Sequence, residues 1–154
     1  MVSIELCKEK SDFQKALKVV KSYTKWLNVD LSFQNIQSEL SNFQTIYSYP
    51  DGAFLLAFFN QELAGGVGFK RFNQKICEIK RLYIYDRFRG KGIAKAALLE
   101  ALTLAKRYGY KFARLDTLDS MKGAIALYKS FGFREIAPYY KNPLPNTKYF
   151  ELKL

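Results

Sequence analysis

The stretch that decides the fold of this chain is residues 78–94, EIKRLYIYDRFRGKGIA. Its apolar beginning predicts the end of a strand. The Ala- and Leu-rich residues after Gly92 predict a helix that ends at Gly109, a residue suited to a helix C-terminus. A loop between these two elements leaves the first N–H groups of the helix without intrahelical partners. Because the helix dipole also makes that end electropositive, the sequence predicts an anion site there.

The loop itself is basic and rich in glycine. Gly90 and Gly92 let an anion approach the backbone closely. The cations around them are Arg87, Arg89, Lys91 and Lys95. The spacing Gln/Arg-x-x-Gly-x-Gly/Ala occurs twice, beginning at Arg87 and at Arg89, whereas the Walker and dinucleotide-binding spacings are absent. The loop therefore predicts a site for a phosphate or a pyrophosphate.

Segments with strand and helix patterns alternate along the rest of the chain. A first helix is predicted from the capping box of Ser11 and Gln14, and a second, short helix from Phe33 to Phe43. A later helix is expected at Lys122–Ser130, and strands at Ser3–Cys7, Ala53–Phe59, Leu63–Phe69, Ile76–Ile84, Phe112–Asp116 and twice within residues 133–154. This order predicts an α+β or mixed α/β fold with helices over a sheet, formed by residues 1–154 as one domain.

Composition removes several classes of protein. The chain has 25 Lys and Arg against 14 Asp and Glu, a net charge of +11, which predicts an anionic partner. It contains no histidine, so histidine-based triads and most zinc sites are excluded. No apolar run of about 18 residues predicts a membrane span, and residues 1–10 lack the apolar stretch of a secretory signal. Two cysteines without a Cys-x-x-Cys pair indicate free thiols in a reducing cytoplasm.

Three parts of the sequence together resemble a known family. They are residues 78–84, the loop at 89–94, and the later pairs Leu127-Tyr128 and Gly132-Phe133. In these parts the chain is similar to the GNAT superfamily of acyl-CoA-dependent N-acetyltransferases. Residues 115–121, LDTLDSM, resemble an uncharacterised bacterial subgroup of it. The resemblance implies a mixed, mostly antiparallel central sheet of about seven strands with about four helices. It also implies acetyl-CoA as co-substrate and no metal.

The same resemblance implies where the co-substrate binds. The backbone of Leu82 to Ile84 would hydrogen-bond the pantetheine arm, as an added strand does, and the amides of residues 89–94 would bind the pyrophosphate. Met121 stands where many relatives have an Asn that orients the arm, and a thioether cannot donate that hydrogen bond. The residues expected to bind the co-substrate are Leu82, Tyr83, Ile84, Arg87, Arg89, Gly90, Lys91, Gly92, Ile93, Ala94, Lys95 and Met121.

Transfer of an acyl group from a thioester to an amine needs one group that gives a proton and one that takes a proton. The tyrosine of the Leu-Tyr pair is the usual acid in the family, which here is Tyr128. Met121 and Ala124 lie on the same helix face, and the small Ala124 would let a ligand pass close by. The alternative role for Tyr128 is that of a core tyrosine.

Glu78 is the candidate base, because a glutamate at this position serves as base in some family members, directly or through water. Strand alternation would place Glu78, Lys80, Leu82 and Ile84 on one face unless a bulge intervenes. Two alternatives stay open. The carboxylate could be paired with Lys80 or Arg71, or a water chain could act as the base.

We therefore expect a cytoplasmic N-acetyltransferase that moves an acetyl group from acetyl-CoA directly to a primary amine. A small molecule is favoured over a protein as acceptor. Residues 139–143, YYKNP, are compatible with an acceptor site, with packing or with a contact in a homodimer. One alternative is a non-catalytic acyl-CoA-binding module. Another, a basic nucleic-acid-binding protein, is disfavoured because no helix-turn-helix, KH or RRM pattern is present.

Overall fold

One seven-stranded sheet organises the chain, and the computed structural model describes residues 1–154. The strands are β1 (Val2–Leu6), β2 (Ala53–Phe59), β3 (Glu62–Arg71), β4 (Ile76–Ile84), β5 (Phe112–Leu118), β6 (Arg134–Ile136) and β7 (Thr147–Lys153). The helices are α1 (Lys10–Leu27), α2 (Ile36–Ser41), α3 (Phe43–Ile46), α4 (Ile93–Arg107) and α5 (Lys122–Ser130). None of these helices is long and apolar enough to cross a membrane. The mixed α/β fold and the mostly antiparallel sheet are confirmed.

The first half of the chain departs from the sequence-based expectations in two places. Helix α1 begins at Lys10, two residues earlier than a box at Ser11 would place it, because the Asp12 carboxylate accepts the N–H groups of Lys8 and Glu9 at 2.9 and 3.0 Å. The single helix expected between residues 33 and 43 is broken into a 3-10 turn, α2 and α3. The break before α2 falls at Asn35, which has a φ of 59° and cannot continue a right-handed helix.

The sheet opens between β4 and β5. All other neighbours in the order β1-β2-β3-β4-β5-β7-β6 are antiparallel, whereas β4 and β5 are parallel. They pair only over Ile76 to Glu78 against Phe112 to Arg114, although β4 continues to Ile84 and β5 to Leu118. Beyond Glu78 the edge of β4 that faces β5 is therefore unpaired, and a cleft lies between the two strands.

A bulge in β4 coincides with this opening. Gly66 pairs with Tyr83 and Gly68 with Lys80, so Val67 alone stands opposite Arg81 and Leu82. Arg81 takes the strained left-handed conformation, with a φ of 61°. The extra residue reverses the alternation of side chains. Before the bulge, Ile79 packs toward α4, and Glu78 and Lys80 lie on the opposite face of the sheet. After the bulge, Leu82 and Ile84 pack toward α4. The sequence placed these four side chains on one face unless a bulge intervened, and the bulge does intervene.

An ion pair inside the protein holds the bulge. Arg81 donates from Nε and an η nitrogen to both oxygens of Glu39, at 3.0 and 3.1 Å, and both side chains are less than 5% exposed. The Tyr47 hydroxyl donates to the same carboxylate, and the remaining guanidinium nitrogen donates to Gln34. Burial alone raises the pKa of Glu39, but the hydrogen bonds and charge of Arg81 outweigh it and leave that pKa below its ordinary value. These contacts fasten α2 to β4 at the bulge.

Removing one partner of this ion pair should cost much of the protein's stability. Glu39→Gln leaves the Arg81 guanidinium buried without a counter-charge, and we expect a loss of about 3–5 kcal/mol in urea unfolding at pH 7. Because the folded pKa of Glu39 is lowered, the wild-type advantage is complete above the unfolded pKa and disappears as the pH falls through the folded pKa. The matched control is Glu135→Gln, which breaks the exposed pair with Lys148 and should cost less than about 1 kcal/mol. Equal losses in both variants would contradict this role.

Candidate active site

Two connected cavities occupy the space between β4 and β5. An outer cleft of about 780 Å³ runs from the glycine loop to the start of α5. An inner pocket of about 70 Å³ continues from it into the protein. The residues that line both are Leu27, Leu82, Leu118, Met121 and Ala124. A long ligand in the outer cleft can therefore meet a small molecule in the inner pocket at this junction.

The outer end of the cleft is the start of helix α4. Gly90 and Gly92 have φ angles of 78° and 77°, and an added Cβ at either would meet nothing within 4 Å. Gly92 is the N-cap residue and has no side chain that could accept an N–H of the helix. The first helical hydrogen bond runs from the Ala96 N–H to the Gly92 carbonyl at 3.1 Å. The N–H groups that precede Ala96 thus have no intrahelical partner. Their open surroundings and the helix dipole make this end of the cleft suited to an anion.

Arg89 is held at the same end of the cleft. Its Nε donates to the Ile84 carbonyl at 3.0 Å, and an η nitrogen lies 2.6 Å from an Asp86 oxygen. Its guanidinium also lies 4.9 Å from the centre of the Trp26 ring. These contacts within the protein hold a cation beside Gly90. Because the side chain is already ordered, the entropy cost of binding an anion there is lower.

The structure brings together only some of the residues expected to bind the co-substrate. Those that line the outer cleft are Leu82, Tyr83, Ile84, Arg89, Gly90, Ala94 and Met121. Arg87 instead pairs with Glu62 at 3.0 Å, and Lys91 lies over the Phe59 ring. The Ile93 side chain is buried beneath the loop. Neither Gly92 nor Lys95 lines the cleft, although the N–H groups of residues 92–95 belong to the open start of the helix.

Tyr128 lies at the inner pocket beside the junction. Its ring is 7% exposed and packs edge-on against Phe133, so it belongs to the core and to the pocket at once. Burial raises the pKa of Tyr128 well above its ordinary value, with smaller contributions from Tyr23 and Asp116. The hydroxyl is therefore protonated at neutral pH, as a proton donor must be, and is a weaker acid than an exposed tyrosine.

Glu78 is buried but lines neither cavity. Its carboxylate accepts a hydrogen bond from the Tyr139 hydroxyl at 3.0 Å. The ion pairs that the sequence left open are not formed, since Arg71 pairs with Asp51 and Lys80 takes part in none of the ion pairs. Any proton transfer between Glu78 and a group in the pocket would therefore pass through water.

Two charged residues of the inner pocket, Asp116 and Lys80, escaped the sequence reasoning. Asp116 lines the pocket, and its carboxylate accepts hydrogen bonds from the Tyr140 hydroxyl and from Asn142 Nδ2. Lys80 also lines it and is 8% exposed. Burial, and then the charge of Arg81, lower the pKa of Lys80. The only signal in the sequence was the presence of charged residues inside apolar strands, which does not say which way they face.

The sequence and the fold both resemble those of acetyltransferases. Residues 20–133 match the model of the Acetyltransferase (GNAT) family. An uncharacterized N-acetyltransferase of Schizosaccharomyces pombe is 36% identical over 99% of this chain and 95% of its own length. An acetyltransferase structure from Streptococcus agalactiae has a TM-score of 0.79 at 17% identity, over 99% of this chain and 98% of that one. The PaiA N-acetyltransferase of Thermoplasma acidophilum, solved in complex with coenzyme A, has a TM-score of 0.70 at 23% identity, over 99% of both chains.

The anion site can be tested with one glycine variant and its matched control. Gly90→Ala puts a Cβ into the open surface above the loop, and we expect inorganic pyrophosphate to bind on the order of tenfold more weakly, equivalent to about 1.4 kcal/mol. Gly109→Ala is the control, because Gly109 also has a positive φ and open surroundings but lies outside the cleft. Both variants should lose about 1–2 kcal/mol of stability from backbone strain. Calorimetric titration showing equal pyrophosphate affinity in the two variants would remove the loop from the anion site.

Proposed function

The chain belongs to the acetyltransferase (GNAT) family, and we propose that it transfers the acetyl group of acetyl-CoA directly to a primary amine of a small molecule. The observation that carries this proposal is the junction of the two cavities. A cleft that begins at the open N-terminus of α4 meets a smaller pocket beside a buried tyrosine. We propose that residues 1–154 form this enzyme as one domain.

In this proposal acetyl-CoA occupies the outer cleft. Its diphosphate would lie against the N–H groups at the start of α4 and beside Arg89, and its pantetheine arm would follow Leu82 to Ile84. The unpaired edge of β4 supports the second contact, because its backbone groups face the cleft and can pair with the amides of the arm as a neighbouring strand would. The net charge of +11 further favours an anionic co-substrate.

Direct transfer is favoured over a covalent enzyme intermediate by the state of the cysteines. Cys7 and Cys77 are both buried and free, and neither lines a cavity. Burial raises the pKa of each thiol to about 12. A neutral, buried thiol is a poor nucleophile, so the amine itself is proposed to attack the thioester. Free cysteines also support our proposal of a cytoplasmic location.

Tyr128 is the proposed acid of the reaction. As the amine nitrogen bonds to the acetyl carbon and the carbon–sulfur bond breaks, the departing thiolate needs a proton. The Tyr128 hydroxyl is protonated at neutral pH and borders the pocket that contains Met121 and Ala124, where the thioester would enter. Glu78 is the proposed base, and it would take the proton of the amine through water because it lines neither cavity.

Replacement of the acid should separate chemistry from binding. We expect Tyr128→Phe to lower kcat on the order of 10²-fold, because the departing thiolate loses its proton donor. The affinity for coenzyme A should stay within about twofold, because this donor acts in the transition state. The measurement combines thiol release in an amine screen with calorimetry of coenzyme A. Tyr108→Phe, which alters a tyrosine outside both cavities, is the control. Unchanged turnover in Tyr128→Phe would overturn the assignment, and coenzyme A binding without transfer by the wild type would instead indicate a binding module.

The base can be assigned by comparing two carboxylates. We expect Glu78→Gln to lower kcat on the order of 10²-fold. Asp116→Asn is the comparison, because Asp116 lines the pocket directly. A larger kcat loss in Asp116→Asn would transfer the role to Asp116, and an unchanged kcat in Glu78→Gln would transfer it to water.

A further inference from the structure

Lys80 is a buried lysine that forms no ion pair within the protein. It is 8% exposed and lines the inner pocket. None of the ion pairs of the structure includes it, and neither Glu78 nor Asp116 comes within ion-pair distance, although both act on its charge from further away. The neighbouring Arg81 offers no counter-charge and is itself neutralised by Glu39. No fully buried side-chain nitrogen or oxygen lacks a hydrogen-bond partner, so the unpaired ammonium of Lys80 retains contact with the pocket, where a bound anion would supply its counter-charge.

The position of Lys80 assigns it to the acceptor rather than to the acyl carrier. Because of the bulge at Arg81, Lys80 lies across the sheet from Leu82 and Ile84, and it lines the inner pocket but not the outer cleft. The cations that line the outer cleft are a separate set, namely Arg89 at the glycine loop and Lys122 at the start of α5. An anion that reaches Lys80 must therefore belong to the molecule in the inner pocket.

The rest of the inner pocket limits what that molecule can be. Of the 17 residues that line it, 10 are hydrophobic, and its volume is about 70 Å³. Its charged groups besides Lys80 are Arg81, whose charge is already paired, and Asp116, which is held by Tyr140 and Asn142. The pocket thus offers one unpaired cation and one carboxylate in small, mostly apolar surroundings. A small molecule with one anionic and one amino group is complementary to both.

We propose that the acceptor is a small amino-carboxylate, whose carboxylate binds Lys80 while its amine points to the junction with the outer cleft. This inference rests on the proposed function and names its substrate class. In the reaction the amine nitrogen forms a bond to the acetyl carbon and the bond from that carbon to sulfur breaks. One proton passes from the amine to the base and another from Tyr128 to the thiolate. The products are an N-acetylated carboxylate and coenzyme A.

The experiment measures acetyl transfer to matched pairs of acceptors. Glycine, β-alanine, 4-aminobutyrate and the standard L-amino acids are each compared with their carboxamides, which keep the amine and lose the anion. Wild type, Lys80→Met and the control Lys75→Met are assayed by thiol release from acetyl-CoA. Lys75 is an exposed lysine just before the same strand. Calorimetry with coenzyme A shows whether each variant retains a folded outer cleft.

We expect the wild type and Lys75→Met to favour the best carboxylate over its amide by at least about tenfold in kcat/KM, the range of a hydrogen bond to a charged group. Lys80→Met should lose this preference, with little change toward the amide and unchanged affinity for coenzyme A. Two results would overturn the inference and leave the proposed function intact. One is that the wild type acetylates the carboxamides as fast as the acids. The other is that Lys80→Met loses activity toward the acid and toward the amide equally. A wild type that transfers to no amine of the set would contradict both.

Discussion

The buried ion pair between Arg81 and Glu39 is the interaction on which the rest of the structure depends. It fixes an extra residue in β4 in a left-handed conformation that an arginine does not adopt without a compensating contact. The bulge turns the second half of β4 so that Leu82 and Ile84 lie on the α4 side of the sheet, and this change coincides with the end of pairing to β5. The cleft, the free edge of β4 and the inner pocket all arise at this point.

Under the proposed function the two cavities would recognise their ligands in different ways. At the outer cleft the binding groups are mostly backbone, namely the first N–H groups of α4 and the unpaired edge of β4, with Arg89 beside them. Such a site suits a long ligand with a diphosphate, whatever acyl group it carries. In the inner pocket the polar groups are side chains from separate elements, including Lys80 and Asp116. Side chains can change without disturbing the sheet, so under the proposed function the fold would keep one carrier while a few residues set the acceptor.

Local patterns predicted most of the fold, and long-range contacts explain what they missed. The strand before the glycine loop, the helix after it and Lys122–Ser130 follow from apolar spacing and glycine positions, and the structure has them. The division of residues 33–43 was missed because the left-handed conformation of Asn35, with a φ of 59°, breaks the helix that the apolar spacing predicts. The sequence also did not reveal that Lys80 lines a pocket, because alternation predicts the face of each side chain only in a strand without a bulge. Nor did it reveal Asp116, whose contacts come from Tyr140 and Asn142 far along the chain.

The most direct test of this account is a crystal structure of the protein with coenzyme A. The account predicts the diphosphate at about 3 Å from N–H groups of residues 90–95. It also predicts pantetheine amides paired with the backbone of Leu82 to Ile84, and the sulfur at the junction beside Met121 and Ala124. Coenzyme A bound elsewhere, or a bound state in which β4 and β5 pair beyond Glu78 and close the cleft, would contradict it.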